Sequence, residues 1–208
     1  MKDKQIVIGI SGKKQAGKDT LANYAKVLLG DVEICSFADA LKECCISIMG
    51  LSHDSCYGSD NDKNMPTQYL WENLPTIITN KYGKIRGFMS AREILQIFGT
   101  DIMRNMFSQK IWVDATLRRI NNIECSFVVI PDVRFVSEVN AIMGLENGYL
   151  IRLTRKVFED SHPSETELDD FDFSQFGSRA LVIDNQNIDI QEKNELARPF
   201  FMNIAESI

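Results

Sequence analysis

The spacing of apolar and polar residues changes along the chain in a way that predicts strands alternating with helices. Apolar residues at three- and four-residue intervals predict helices, as in the stripe formed by Leu21, Tyr24, Ala25 and Leu28. Short stretches rich in apolar residues, typical of strands, occur at 6–10, 32–37, 127–130, 149–153 and 180–184. The run 127–130 is continuous, as in a strand buried on both faces. Because parallel strands joined by helices form sheets covered on both faces, the pattern predicts a three-layer α/β/α protein. Its sheet should have five mainly parallel strands.

Two stretches depart from this alternation. Residues 51–68 are polar and rich in turn-forming residues, which predicts a long loop. Residues 76–89 contain Asn80, Gly83 and Gly87, which predict a turn or hairpin at the surface. Ser90 and Glu93 then have the spacing of a capping box, so a helix should start there and end near Gly99.

A glycine-rich segment, GKKQAGK, joins the first predicted strand to the first predicted helix. It fits the pattern G-x-x-x-x-G-K, in which loop N–H groups and a lysine surround phosphate oxygens. The alternative is a glycine-rich turn with an unrelated lysine, but strand, loop and helix occur in the order that phosphate binding requires. The predicted nucleotide-binding residues are Gly12, Lys13, Lys14, Gln15, Ala16, Gly17, Lys18, Asp19 and Thr20.

Candidate magnesium ligands occur at two places. The position after Lys18 is Asp19 rather than the usual serine or threonine, and Thr20 follows, so either side chain could face the metal. Asp132 ends the apolar run 127–130, as does the acid that holds Mg²⁺ in phosphate-loop proteins. Arg134 follows and could bind phosphate or form an ion pair with Glu138.

Composition narrows the classes of function. A chain of 208 residues is expected to form one domain, and a net charge of −6 argues against general nucleic-acid binding. No apolar run is long enough to span a bilayer, and no signal-peptide core follows the N-terminus, so a cytoplasmic protein without a membrane partner is expected. Five cysteines without paired spacing predict reduced thiols and no zinc site.

Six segments together are similar to the deoxynucleoside monophosphate kinases of tailed bacteriophages. They are GKKQAGKDT (12–20), FADALK (37–42), DKNMPTQYLW (62–71), SAREILQIFGTDIMRNMFSQKIW (90–112), PDVRFVSE (131–138) and HPSE (162–165). The resemblance implies a P-loop kinase fold, with an acceptor-binding insertion at about 38–112 and a lid at about 152–176. DVRF and HPSE also resemble phosphomevalonate kinase.

The resemblance implies reversible transfer of the γ-phosphoryl group of ATP to a deoxynucleoside 5′-monophosphate, with Mg²⁺. The product would be a diphosphate for DNA synthesis, made in the host cytoplasm if the protein is viral. The partners would be small molecules, with a homodimer left open. Two alternatives remain: a kinase for another phosphorylated small molecule, such as phosphomevalonate, and a nucleotide-binding switch without an acceptor.

Site residues follow from the resemblance and from the need to cancel the charge of two anionic nucleotides. The implied catalytic residues are Lys18, Arg134 and Arg155. Asp39 and Lys42 stand between a strand and a helix and could serve the substrate or only the helix. The full acceptor set is Asp39, Lys42, Lys63, Trp71, Arg92, Gln96, Thr100 and Arg134.

Several of these residues have a second interpretation. Trp71 could stack on the base or pack in the core, Arg92 could meet the substrate phosphate or solvent, and Gln96 could read a base or satisfy buried backbone. Asn185 is expected near the adenine or in a turn. Arg152 and Arg155 resemble arginines of a lid, whereas His162 and Glu165 are expected in caps and turns of that lid.

Overall fold

A computed structural model describes residues 5–157 and 166–206. The chain divides into two compact units, one formed by Met1–Phe37 with Val113–Ile208 and the other by Ala38–Trp112. The second unit is thus a contiguous segment between two residues of the first. Each unit has its own apolar core.

The regular elements are named here in chain order. The strands are β1 (Ile6–Ser11), β2 (Val32–Ile34), β3 (Pro66–Leu70), β4 (Phe88–Ser90), β5 (Phe127–Val133), β6 (Gly148–Leu153) and β7 (Ala180–Ile183). The α-helices are α1 (Lys18–Leu29), α2 (Asp39–Ser47), α3 (His53–Tyr57), α4 (Asp60–Asn64), α5 (Thr76–Tyr82), α6 (Ala91–Gln96), α7 (Ile111–Ile120), α8 (Val136–Met143) and α9 (Ile190–Ala205). A π-helix (Ile97–Phe107) continues α6, and 3₁₀ turns occupy Trp71–Asn73 and Phe173–Arg179.

A five-stranded sheet forms the centre of the first unit, in the order β2-β5-β1-β6-β7. All of its strand pairs are parallel, and Ile8 of β1 lies opposite Val129 of β5 and Tyr149 of β6. The predicted α/β fold with five parallel strands is therefore confirmed. Since β1 is central, the loop that follows it lies at the middle of the carboxyl edge, where ligands bind in such sheets.

Alternate residues of β1 face opposite sides of the sheet, and each side has its own layer of helices. Ile6, Ile8 and Ile10 belong to the core that includes α1 and α9. Val7 belongs to the core that includes α7 and α8. The continuous apolar run of β1 arises because both faces are buried, and the three-layer prediction is confirmed.

The strand β2 is shorter than the predicted 32–37, and the reason is chemical. Phe37 N–H donates to Asp132 Oδ1 at 2.9 Å, and the Ser36 hydroxyl donates to Asp132 Oδ2. Cys35 N–H still donates to Val129 O of β5 at 3.1 Å. From Ser36 onward, the chain is bound by the Asp132 carboxylate at the end of β5. The last helix of the same unit, α9, runs from Ile190 to Ala205 and contains Pro199.

In the second unit, the long loop predicted for residues 51–68 is wrong. This stretch contains the five-residue helices α3 and α4 and most of β3. Ser52 accepts a hydrogen bond from Ser55 N–H, and Ser59 forms a capping box with Asp62. Serine caps therefore start helices too short to show an apolar period.

The turn or hairpin predicted for residues 76–89 is also wrong. Residues Thr76–Tyr82 form α5, which ends at Gly83 with a φ of 63°. The strand β4 pairs antiparallel with β3, with Leu70 opposite Phe88. The glycines that suggested a hairpin are Gly83, which ends α5, and Gly87, which directly precedes β4.

The predicted capping box at Ser90 and Glu93 is confirmed, but the helix does not end at Gly99. The backbone continues as the π-helix, and Trp112 Nε1–H donates to Gly99 O at 2.9 Å. A Cβ atom at position 99 would lie 2.4 Å from Leu41 Cδ2. Gly99 therefore lies where Leu41 packs closely against the helix, and it does not end the helix.

All five cysteines are free thiols, as the sequence predicted. Burial raises the pKa of Cys45 to about 12, and burial also raises the pKa of Cys56. Both thiols are thereby held in the protonated form. Within residues 5–157 and 166–206, no helix combines the length and apolar character needed to cross a membrane.

Candidate active site

The phosphate loop, residues 12–17, connects β1 to α1 and has a strongly curved backbone. Gln15 has a φ of 61° and Gly17 a φ of 89°, both left-handed conformations. Ala16 N–H donates to Lys13 O at 3.1 Å, which closes a turn. A non-glycine residue with positive φ is uncommon and indicates a backbone held in shape for a purpose.

Lys18, the first residue of α1, folds back over this loop. Its Nζ donates to Gly12 O at 2.6 Å and to Lys13 O at 2.8 Å, and the residue is 8% exposed. A lysine is a mobile cation, so the same ammonium can turn to a phosphate oxygen when one is present. The structure therefore brings together the loop and the lysine as the motif predicted.

Two side chains far along the sequence bind the remaining end of the loop. Asn185 Nδ2–H donates to Ala16 O at 2.9 Å, and Lys193 Nζ donates to Gly17 O at 2.9 Å. Asn185 Oδ1 also accepts from Arg155 N–H at 2.9 Å, so it joins the loop to the chain after β6. The sequence prediction named Asn185 and Arg155 but missed Lys193.

A carboxylate pairs with two cations next to the loop. Asp169 Oδ2 lies 2.5 Å from Lys13 Nζ, and Asp169 Oδ1 lies 3.6 Å from Arg152 Nη2. Arg152 Nη1–H also donates to Ser11 Oγ at 2.8 Å, and its guanidinium carbon lies 5.6 Å from the centre of the Phe173 ring. Arg152 is thus fixed beside β1 in this structure.

The predicted lid, 152–176, has well-packed parts among the described residues. Arg152 and Leu153 belong to β6, and Leu168 and Phe173 are buried in the core next to α8. His162 and Glu165 lie outside the described residues. The role of this segment as a lid stays a prediction.

Asp132 lies at the carboxyl end of β5, next to β1 in the sheet. Its two oxygens accept hydrogen bonds from Ser36 Oγ and Phe37 N, which orient the carboxylate. Mg²⁺ prefers oxygen ligands and is held in kinases by one or two protein groups together with phosphates. One oriented carboxylate, with Asp19 or Thr20 on the first turn of α1, fits that requirement. Among the described residues, no group of three or more histidine, cysteine or acidic side chains forms an all-protein metal cage.

Arg134 follows β5 in a turn stabilised by a buried acid. Glu138, 3% exposed, accepts from Arg134 N–H at 2.8 Å and from Phe135 N–H at 3.1 Å through the same oxygen. Its carboxylate therefore binds backbone donors at the start of α8, where negative charge is favourable. Arg134 itself is half-buried, whereas Arg155, after β6, is exposed.

In the second unit, Trp71 lies in the interior, 2% exposed. Its ring centre is 5.6 Å from that of Tyr82, and Lys84 Nζ lies 5.5 Å from the indole ring centre. These contacts agree with packing of Trp71 in the core and not with stacking on a base. Arg92 donates to Asp60 Oδ1 at 2.5 Å and to Asn64 Oδ1 at 2.9 Å, which links α6 to α4.

The other acceptor candidates are distributed over four elements of the second unit. Asp39 is the first residue of α2, and Lys42 Nζ lies 4.4 Å from the centre of the Tyr57 ring. Lys63 is in the last turn of α4. Gln96 is half-buried and Thr100 is 8% exposed, at the junction of α6 and the π-helix.

Sequence reasoning also missed a buried charged cluster in the second unit. Asp101, 2% exposed, accepts from Lys81 Nζ at 2.6 Å and from the Tyr82 hydroxyl at 2.8 Å. Burial and the bond to Asp101 raise the pKa of Tyr82. An acid inside the apolar FGTDIM segment was the available signal, since a buried carboxylate requires partners.

The environment of Trp71 gives a testable prediction. Trp71→Ala is expected to lower the free energy of unfolding by about 3–5 kcal/mol, because it leaves a large cavity. Phe88→Ala is the control, since Phe88 is an aromatic residue 65% exposed in the same unit, and it should have little effect. Denaturant unfolding measures both variants. Unchanged stability combined with lost nucleotide affinity in Trp71→Ala would show that the ring stacks on the base.

Three comparisons show which known proteins this chain resembles. Residues 35–189 match the sequence model of the deoxynucleotide monophosphate kinase family. The chain is 34% identical over 179 residues to a protein of Acanthamoeba polyphaga mimivirus named "Putative deoxynucleotide monophosphate kinase", covering 78% of this chain and 82% of that protein. The structure of the present chain is similar to the crystal structure of a gluconokinase from Sinorhizobium meliloti 1021, with a TM-score of 0.49 and 13% identity. The alignment covers 98% of this chain and 95% of the gluconokinase chain.

The family match begins after the phosphate loop, so the loop geometry and the match are separate observations. The match covers more than half of the chain, and the mimivirus protein is aligned over most of its length. The chain is a kinase that uses nucleotides and small-molecule substrates, and it belongs to the deoxynucleotide monophosphate kinase family.

Proposed function

We propose that the protein transfers the γ-phosphoryl group of ATP to deoxynucleoside 5′-monophosphates, giving the diphosphates and ADP for DNA synthesis. The observation that carries this proposal is the phosphate loop, whose carbonyl groups are bound by Lys18, Asn185 and Lys193. These donors hold the carbonyl oxygens of the loop in place, and we assign an anion to the loop N–H groups other than that of Ala16, which donates to Lys13 O. Family membership supplies the class of acceptor.

On the donor side, we assign ATP to residues 12–20. Phosphoryl transfer requires positioning and charge neutralisation more than covalent help from the protein. The loop N–H groups and Lys18 position the β- and γ-phosphates, with the positive end of α1 adding to the attraction. Arg155 is attached to the loop through Asn185 and supplies a further cation.

Mg²⁺ is assigned to Asp132 together with Asp19 or Thr20. When bound, the ion would neutralise charge on the phosphate oxygens. The protein's contribution is the fixed orientation of the Asp132 carboxylate by Ser36 and Phe37. The alternatives Asp19 and Thr20 stay open, because both lie on the first turn of α1.

On the acceptor side, the protein must supply local cations because its net charge is −6. We assign the phosphate of the monophosphate to Arg134, and we propose Lys42, Lys63 and Arg92 of the second unit as separate candidate cations for the acceptor. Lys42 and Arg92 already interact with Tyr57 and Asp60, so an incoming phosphate would compete with or join those contacts. Asp39, Gln96 and Thr100 are assigned to the nucleoside. We further propose action in the cytoplasm without nucleic-acid or membrane partners.

An acceptor panel tests this function. Purified protein with ATP and Mg²⁺ is offered each of the deoxynucleoside monophosphates, the ribonucleoside monophosphates and phosphomevalonate, and ADP formation is measured by a coupled assay. At least one deoxynucleoside monophosphate is expected to stimulate ADP formation by about 100-fold or more over ATP alone. Chromatography should show the matching diphosphate in equal amount.

The other results have definite meanings. Preference for phosphomevalonate would assign the protein to the related small-molecule kinases. Slow hydrolysis that no acceptor stimulates would indicate a nucleotide-binding switch. Either result would contradict the proposed function.

A further inference from the structure

Lys193 occupies an unusual place for a lysine. It lies in the first turns of α9, which begins after the N-cap Asp189, and it is 2% exposed. Lysine is almost never fully buried unless it is paired. Its Nζ donates to Gly17 O at 2.9 Å, across 176 residues of sequence.

The loop and the lysine fit one another closely. A Cβ atom at position 17 would lie 2.9 Å from Lys193 Nζ. Gly17 also has a φ of 89°, which side chains resist. Glycine at this position therefore serves two purposes: it allows the backbone turn into α1, and it leaves room for an ammonium group.

A donor on Gly17 O acts directly on the phosphate-binding face of the loop. The carbonyl of Gly17 and the N–H of Lys18 belong to the same peptide group. A cation that binds the oxygen polarises this group and makes its N–H a stronger donor to an anion. Asn185 acts in the same way on the peptide group that joins Ala16 to Gly17, but as a neutral donor.

The buried ammonium is unfavourable without a counter-charge. Burial lowers the pKa of Lys193, and the neighbouring Arg155 lowers it further. Among residues 5–157 and 166–206, the groups that act on the ammonium are the Gly17 carbonyl oxygen, which accepts its hydrogen bond, and the Arg155 cation. A polyphosphate bound at the loop would supply the negative charge that offsets this cost.

We propose that Lys193 is a positioning residue for the polyphosphate of the donor nucleotide, acting through the Gly17–Lys18 peptide group. This inference rests on the proposed assignment of ATP to the phosphate loop. It goes beyond the family match, which ends at residue 189. The group that Lys193 helps to bind is the triphosphate or diphosphate chain of a nucleotide, whichever base the nucleotide carries.

The test measures binding of inorganic tripolyphosphate and of ATP to the wild type and to Lys193→Met by isothermal titration calorimetry. Methionine fills a similar space without charge. Both ligands are expected to bind about tenfold more weakly, because the variant removes a cation that polarises the Gly17–Lys18 peptide group and attracts the anion. Arg198→Met is the matched control, because Arg198 is an exposed cation on the same helix, 3.9 Å from Glu195. It should bind both ligands as the wild type does.

Steady-state kinetics separate positioning from a merely structural role. In Lys193→Met, KM for ATP is expected to rise about tenfold, whereas KM for the monophosphate should change less than about twofold. Thermal unfolding should show a variant at least as stable as the wild type, since an unfavourable buried charge has been removed. If the methionine variant is unstable, Lys193→Gln serves instead, as a neutral and shorter replacement with the same expected loss.

Three results would overturn the inference. They are wild-type affinity in a folded Lys193 variant, weaker ATP binding with unchanged tripolyphosphate binding, and equal rises in KM for both substrates. Failure of the proposed function would look different. In that case the wild type itself would not bind ATP, or it would bind ATP but show no ADP formation stimulated by any deoxynucleoside monophosphate.

Discussion

Lys18→Ala is expected to lower kcat by about 100-fold to 1,000-fold, the range seen when one preorganised charge donor is removed from a reacting centre. The reason is the position of its ammonium at the phosphate loop, where it donates to Gly12 O and Lys13 O. Alanine has high helix propensity and keeps α1 intact, so the fold should persist. The acceptor-stimulated ADP assay measures the change.

Lys26→Ala is the control for this variant. Lys26 is an exposed lysine in the last turn of the same helix, far from the loop in sequence. Its replacement should leave turnover within about twofold. Wild-type turnover in Lys18→Ala would show that the loop takes no part in the reaction and that GKKQAGK is an ordinary strand–helix turn.

Asp132→Asn is expected to lower kcat by about 100-fold and to raise the Mg²⁺ concentration needed for half-maximal activity. Asparagine keeps the shape of aspartate, and its oxygen can still accept from Phe37 N–H, as Asp132 Oδ1 does at 2.9 Å. The amide nitrogen can donate to the Ser36 hydroxyl, so the local structure should be preserved. Only the negative charge is lost, and Mg²⁺ requires that charge.

Ser36→Ala separates the two roles of this carboxylate. It removes the hydroxyl that orients Asp132 Oδ2 but keeps the charge. Its effect on the Mg²⁺ dependence should be much smaller than that of Asp132→Asn. A normal Mg²⁺ dependence in Asp132→Asn would mean that Asp132 serves only to fasten the chain after β2.

The sheet could be predicted from sequence because its signal is local and redundant. Most strands of the first unit are rich in apolar residues, and β1 is buried along its whole length. The loop after β1 carries its chemistry within seven residues, Gly12 to Lys18. The second unit gave weaker signals. Helices of five residues, such as α3 and α4, are too short for a 3.6-residue period to emerge.

Contacts across long sequence separations were beyond local reasoning. Lys193 reads as a surface lysine in a polar stretch, and only the fold brings it to Gly17. One signal was nevertheless present. Lys193, Ala197 and Phe201 are spaced by four residues, and all three are buried, so the lysine lies on the apolar stripe of α9.

The acceptor residues show the limit of a family pattern. Trp71 and Arg92 belong to the resembling segments, yet the first packs in a core and the second links α6 to α4. A sequence motif records which side chains recur together. It does not separate residues that bind a ligand from residues that build the surface around it.

The continuity of Ala38–Trp112 has an evolutionary consequence. All five strands of the parallel sheet lie outside this segment, and so does the phosphate loop. A single recombination event with both breakpoints near Phe37 and Val113 could therefore exchange the whole segment while the nucleotide-binding half stayed unchanged. If this segment binds the acceptor as we propose, descendants of one ancestral gene could change much of their acceptor site by such an exchange, while the phosphate loop stayed the same.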